Sequence, residues 1–150
     1  MKIVIFGSTG GTGRELVVQA LEQGHHVTAQ ARNPEDLSEL EHPSLDVVRG
    51  DVLEANDVDR VVDGREAVLC AIGAGADRSS LREDGTRNIV AAMESSGVSR
   101  LVCLSSLGVG DSRANLPFFT RYVVVGIFLR HAFADHERQE RVVRQSSLSW

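Results

Sequence analysis

Five short apolar runs recur along the chain, and all but the second are followed by a stretch with helical periodicity. This alternation restricts the fold more than any other feature of the sequence. The runs are Lys2–Phe6, His26–Ala31, Leu45–Arg49, Ala67–Ile72 and Arg100–Ser105. They are nearly continuously apolar rather than alternating, the pattern of parallel strands covered on both faces. Helical patterns occupy about 11–23, 55–63, 79–96 and 118–146. Gly24, Gly64 and Gly97 close the first three in the place where a left-handed residue commonly ends a helix. Ser80-Leu81-Arg82-Glu83 has the spacing of a capping box at the start of the third. Right-handed β–α–β crossovers then predict an α/β fold, a doubly wound parallel sheet in the order 3-2-1-4-5. Its ligand crevice should lie at the carboxyl ends of the strands. With 150 residues, 42% hydrophobic and 25% charged, residues 1–150 suit one such domain with an adequate core. The 113–117 stretch reads as a loop rather than a boundary.

The first strand runs directly into Gly7-Ser8-Thr9-Gly10-Gly11-Thr12-Gly13, which opens the first helix. Glycine permits a tight turn and a close backbone approach, while a helix N-terminus offers unpaired N–H groups and the positive end of its dipole. Glycine also serves plain turns, but between a first strand and a first helix this segment points to a dinucleotide pyrophosphate. A P-loop is excluded because Arg14-Glu15, not Lys-Ser/Thr, follows Gly13.

NAD-binding sheets usually carry an acid at the end of the second strand for the ribose 2′-hydroxyl. This chain has Ala31-Arg32-Asn33-Pro34 there, with no acid before Glu35. Arginine can instead pair with a 2′-phosphate, so Arg32 points to NADP(H), the plain alternative being an exposed loop arginine. Asp51, followed by Val52 after the third strand, suits either an adenine amino group or a turn. Ala71, Ile72 and Gly73 follow the fourth strand, as a close-lying cofactor wall or as simple turn residues.

These segments together resemble the atypical short-chain dehydrogenase/reductases, an NAD(P)H-binding group that includes flavin reductase (biliverdin-IXβ reductase) and the NmrA-like proteins. The likeness rests on residues 2–10, Arg32-Asn33-Pro34, Gly50-Asp51-Val52, the run Gly85-Thr86-Arg87-Asn88-Ile89-Val90-Ala91-Ala92-Met93, and residues 101–106. A thinner match extends over 133–150. It implies that Gly7 to Gly13 hold the pyrophosphate, Arg32 the 2′-phosphate, and Asp51 and Val52 the adenine. Residues 71–73 with Ser105 and Ser106 would border the nicotinamide.

The superfamily's usual catalytic pair is Tyr-x-x-x-Lys, the lysine lowering the tyrosine pKa for acid catalysis. The chain's one tyrosine, Tyr122, has Gly126 four residues on. Aligning Glu140 and the 146–150 tail puts Ala132 at the tyrosine position and His136 at the lysine position. The flavin-reductase branch is similar there, with a histidine after an aspartate and no tyrosine. Ser106 and His136 are therefore the candidate catalytic residues, with Ser105 or a structural role as alternatives. In the family, a segment like Ser-Leu-Ser-Trp leads into another strand and a substrate region. A chain ending at Trp150 is thus expected to be C-terminally truncated relative to the family.

Net charge −5 argues against a general nucleic-acid binder, and the 15 arginines are scattered, with Lys2 the single lysine. The longest apolar run, 122–129, is far too short to span a bilayer, where about 20 residues are needed. Cys70 and Cys103 lie in apolar runs without metal-ligand neighbours, and read as small core residues of a reducing compartment rather than a disulfide. The expectation is a cytoplasmic NADPH-dependent reductase of a small flavin-like acceptor, without nucleic-acid or membrane partners. Exposure of the fifth strand's edge makes self-association to a homo-oligomer an added expectation. The rival expectation is a non-enzymatic NADP(H)-binding redox sensor.

Overall fold

In the first strand, β1 (Lys2–Phe6), successive side chains point to opposite faces of the sheet, and both faces are apolar. Ile3 and Ile5 pack with Val17, Ala20 and Leu21 of α1 (Gly11–Glu22), while Val4 and Phe6 pack with residues of α2 (Ala55–Val62) and α3 (Leu81–Ser96). The sheet must therefore be covered twice, which is why the runs lack polar alternation. The structure, a computed structural model, describes residues 1–74, 79–109 and 129–150. The predicted loop at 113–117, Tyr122 and the first part of the predicted fourth helix lie outside these residues.

The remaining strands are β2 (His26–Ala31), β3 (Leu45–Arg49), β4 (Ala67–Cys70) and β5 (Arg100–Cys103). All pair in parallel, in the predicted order β3-β2-β1-β4-β5. A single 3-10 turn, Pro34–Leu37, follows β2, and α4 spans Arg130–Gln145. Gly24, Gly64 and Gly97 all have positive φ, in keeping with their predicted helix-ending role. β4 and β5 stop two residues earlier than the apolar runs suggest, although Ala71 N–H still donates to Phe6 O and Leu104 N–H to Cys70 O at the sheet's carboxyl edge. The outer edge of β5 is not bare. Leu101 N–H donates to Ser149 O at 3.0 Å and Ser149 N–H to Ser99 O at 2.8 Å, so the tail has begun a parallel pairing there.

The capping box is corrected by the structure. Ser80 makes no side-chain cap to α3. Instead the carboxylate of Asp135, on α4, accepts from the N–H groups of Arg82 (3.1 Å) and Glu83 (3.3 Å). Two helices distant in sequence are thereby joined, since an anion is favoured at the exposed donors of a helix start. Asp135 is fully buried and also meets Arg138 Nη2 at 3.2 Å. One turn on, Gln139 donates to Thr86 Oγ1 of α3 at 3.1 Å, and another turn on, Val143 enters the core.

Replacing Asp135 by Ala leaves a buried guanidinium without its carboxylate and uncaps α3. Urea denaturation should show a loss of about 3–5 kcal/mol, with Asp135→Asn losing less. A loss below about 1 kcal/mol, the size of an ordinary surface change, would contradict the long-range cap.

Candidate functional site

The carboxyl ends of all five strands open onto one cleft of about 460 Å³. It begins at the glycine turn. Gly7 has φ +77°, and a Cβ on it would collide with the carbonyl of Ala71 at the end of β4. Only glycine satisfies both conditions. A Cβ on Gly13 would run into the carbonyl oxygen of Gly7, so Gly13 lets α1 start against the turn. By contrast, a Cβ on Gly11 meets nothing within 4 Å, and Gly11 lines the cleft. No side chain caps α1 and no acid stands in its first turn. The result is a cradle of backbone open to an anion.

Gly7, Thr9, Gly10, Gly11 and Thr12 line the cleft together with Arg32, Asp51, Val52, Ala71, Ile72, Gly73, Ser105, Ser106 and His136. Two sequence candidates do not line it. Ser8 is fully buried and its hydroxyl donates to Gln30 O at 2.7 Å, pinning the turn to β2, and Gly13 stands behind as a packing residue.

Arg32 is exposed at the β2 end of the cleft. The nearest acid in sequence, Glu35, is paired with Arg49 at 3.0 Å, and Arg49 also donates to Arg32 O. Asp51 makes the turn considered for it and also lines the cleft. Its Oδ1 accepts from Leu53 N–H at 3.0 Å. At the other end, the Ser105 hydroxyl donates to Glu140 Oε1 at 2.6 Å, whereas the Ser106 hydroxyl has only a 3.4 Å contact with Leu107 O. Ser106 is thus the freer of the two serines.

His136 is half-buried, and its Nδ1 has no hydrogen-bond partner among the described residues. Burial, reinforced by the nearby Arg82 charge, holds its pKa below the usual imidazole value, so the ring is neutral at neutral pH. Ala132, one turn earlier on α4, is absent from the cleft wall. Gln30, Gly50, Leu81, Arg82 and Leu104 line the cleft without having been singled out as site residues from the sequence. Gln30 had a usable signal, a polar residue near the carboxyl end of an otherwise apolar strand. Arg82 had none, because it stands inside an apparent capping box. Among the described residues no group of three or more metal-ligating side chains occurs, and no helix is long and apolar enough to cross a membrane.

Comparison with known proteins identifies the class of this cleft. The sequence profile of the NAD(P)H-binding family matches residues 7–150. The chain belongs to that family. An uncharacterized chloroplastic protein of Arabidopsis thaliana is 33% identical over 158 residues, covering 99% of this chain and 56% of that protein. ChuY, an anaerobillin reductase from Escherichia coli O157:H7, superposes with a TM-score of 0.79 at 22% identity, covering 99% of this chain and 69% of the other. A short-chain dehydrogenase/reductase from Veillonella parvula, crystallised with NADP, gives 0.78 at 19% identity, covering 98% and 65%. The chain thus spans little more than half of its Arabidopsis relative and about two thirds of these structural neighbours.

Gly11→Ala should fold at least as well as the wild type, since alanine favours a helix over glycine by about 1 kcal/mol. It should nevertheless weaken dinucleotide binding in calorimetry, because its methyl projects into the cradle. Gly13→Ala should lose stability as well, and equal behaviour of the two variants would contradict the assignment.

A second expectation concerns pH. A neutral, buried histidine binds protons less readily folded than unfolded, so stability should fall as pH drops through the unfolded value of about 6.5. His136→Gln should flatten that part of the melting-temperature profile between pH 7.5 and 5.5. An unchanged slope would show that His136 does not contribute to it.

Proposed function

We propose that the chain carries the cofactor site of an NADPH-dependent oxidoreductase that delivers hydride to a flavin, quinone or similar conjugated acceptor. The observation that carries this reading is the make-up of the cleft wall. It has a cation at the β2 end, backbone at the centre, and no tyrosine–lysine pair among the described residues that line its β4–β5 end.

In this reading the N–H groups of the Gly10–Thr12 turn hold the pyrophosphate, and the Arg32 guanidinium pairs with the 2′-phosphate. Asp51 and Val52 border the adenine, and Ala71, Ile72, Gly73 and Ser105 border the nicotinamide half. NADPH, when bound, supplies the hydride. The protein's own contribution is position, which alone can remove up to about 7–11 kcal/mol of a barrier in favourable intramolecular cases. Ser106 and His136 are the groups near that end able to carry a proton. A neutral imidazole beside a guanidinium is a weak acid source, so the acceptor is one that can take its proton from water. Support comes from family membership, from a neighbour crystallised with NADP and from a neighbour named as a reductase. The absence of a hydroxyl at Ala132 favours a second reading, a dinucleotide-binding sensor without turnover.

Arg32→Asp should weaken NADPH binding by on the order of 1.5–3 kcal/mol, the worth of a charge-assisted contact, and leave NADH less affected. Equal wild-type affinity for NADPH and NADH in calorimetry would overturn the choice of cofactor. NADPH oxidation should proceed with FMN and fail with a simple aldehyde. His136→Ala should slow it toward the lower end of the ~10²–10⁴-fold range of general acids. Brisk aldehyde reduction would refute the reductase reading, and no oxidation with any acceptor would favour the sensor.

A further inference from the structure

Arg82 is 8% exposed, yet its Nε and Nη1 have no hydrogen-bond partner among the described residues. Its guanidinium is fixed in place by Nη2, which donates to Ala74 O at 2.8 Å just beyond the end of β4. The buried carboxylate of Asp135 forms an ion pair with Nη1 at 3.5 Å but accepts no hydrogen bond from it. That carboxylate already serves the N–H groups of Arg82 and Glu83 and the guanidinium of Arg138. Glu83, the other acid in this cluster, is taken by Arg138 at 2.6 Å and Arg87 at 3.0 Å. An ion-paired guanidinium is thus held in the cleft wall with Nε and Nη1 making no hydrogen bond among the described residues. Native structures rarely leave buried donors so, because an unmade hydrogen bond leaves the desolvation of the group uncompensated, most of all for a charged one.

Beside it stands His136, whose Nδ1 is likewise buried and unpartnered among the described residues, and both residues line the cleft. Their place in the fold separates them from Arg32. Arg32 follows β2 and the glycine cradle follows β1, whereas Arg82 is anchored past β4 and His136 reaches in from α4. With strands about 4.8 Å apart, β2 and β4 are two spacings from each other, so one anion cannot serve both ends.

We infer that Arg82, flanked by His136, forms an anion subsite at the acceptor end of the cleft, and that the acceptor carries a phosphate or carboxylate. The inference rests on the reductase reading for the word acceptor, but the anion contact itself can be measured without turnover. Arg82 is then a specificity-determining residue, and an uncharged acceptor with the same reacting ring binds less well.

FMN and riboflavin share the isoalloxazine ring and differ by one phosphate, and so make the test. In the wild type, kcat/KM for NADPH oxidation should favour FMN over riboflavin by about tenfold or more, as one charge-assisted contact provides. That ratio should collapse toward one in Arg82→Gln and survive in part in Arg82→Lys, with the gain residing in KM. Inorganic phosphate should inhibit the wild type competitively against FMN and not against NADPH. Equal use of FMN and riboflavin by the wild type overturns the inference without any variant being needed. If Arg82→Gln weakens NADPH binding as much as FMN binding, the anion belongs to the cofactor and the inference fails. If neither flavin is reduced, the flavin form of the reductase reading fails, and flavin-fluorescence titration of the NADP⁺-saturated protein decides the subsite alone. Tighter binding of FMN than riboflavin there upholds the anion contact, and equal or absent binding overturns it.

Discussion

The geometry of this protein depends on a place where three stretches of backbone meet without room for a side chain. Gly7 lies against the carbonyl of Ala71, and Gly13 lies against the carbonyl of Gly7. This contact sets the start of α1 directly over the carboxyl edge of the sheet, between β1 and β4. Everything that lines the cleft is positioned from it. The helix start is aimed inward, Ser8 is left buried as a peg into β2, and the end of β4 becomes a wall close to the turn.

A second constraint fixes the opposite wall. Asp135 brings α4 to the N-terminus of α3, and its neighbour in sequence, His136, consequently enters the cleft. The same carboxylate approaches Arg82, so one buried anion sets the positions of both polar groups at that end. Close approach of α3 depends on Gly85, where a Cβ would come within 2.9 Å of Val52. Fold and site therefore share components here, and changes at Asp135 or Gly85 alter stability and cleft shape together.

Much of this was legible in the sequence because it is local. Apolar runs without alternation announced a sheet covered on both faces, and the three helix-ending glycines marked where α1, α2 and α3 stop. The glycine turn and Arg32 could be placed on strand ends by counting alone. What could not be read were long-range contacts. The capping box around Ser80 was a local reading of a helix start that Asp135, 53 residues away, caps instead. Ala71-Ile72 and Leu104-Ser105 looked like strand because a cleft wall next to a core is as apolar as the core itself. Cys70 and Cys103 looked like unrelated core residues, yet the β4–β5 register sets them side by side. Both cysteines are free, and hydrogen bonding to Cys70, with burial, pushes the Cys103 thiol well above its ordinary pKa. Arg82 was hidden for the same reason, since its importance comes from what fails to pair with it.

The central claim is that the strand-end cleft, entered from the glycine cradle, is where NADP(H) lies. Backbone amide shifts followed by NMR during titration with NADP⁺ test it most directly. The largest changes are expected at the amides of Gly10, Gly11 and Thr12, with further changes at Arg32, Val52 and Gly73. Shifts confined instead to the groove between β5 and α4, around Val102, Val143 and Trp150, would contradict it.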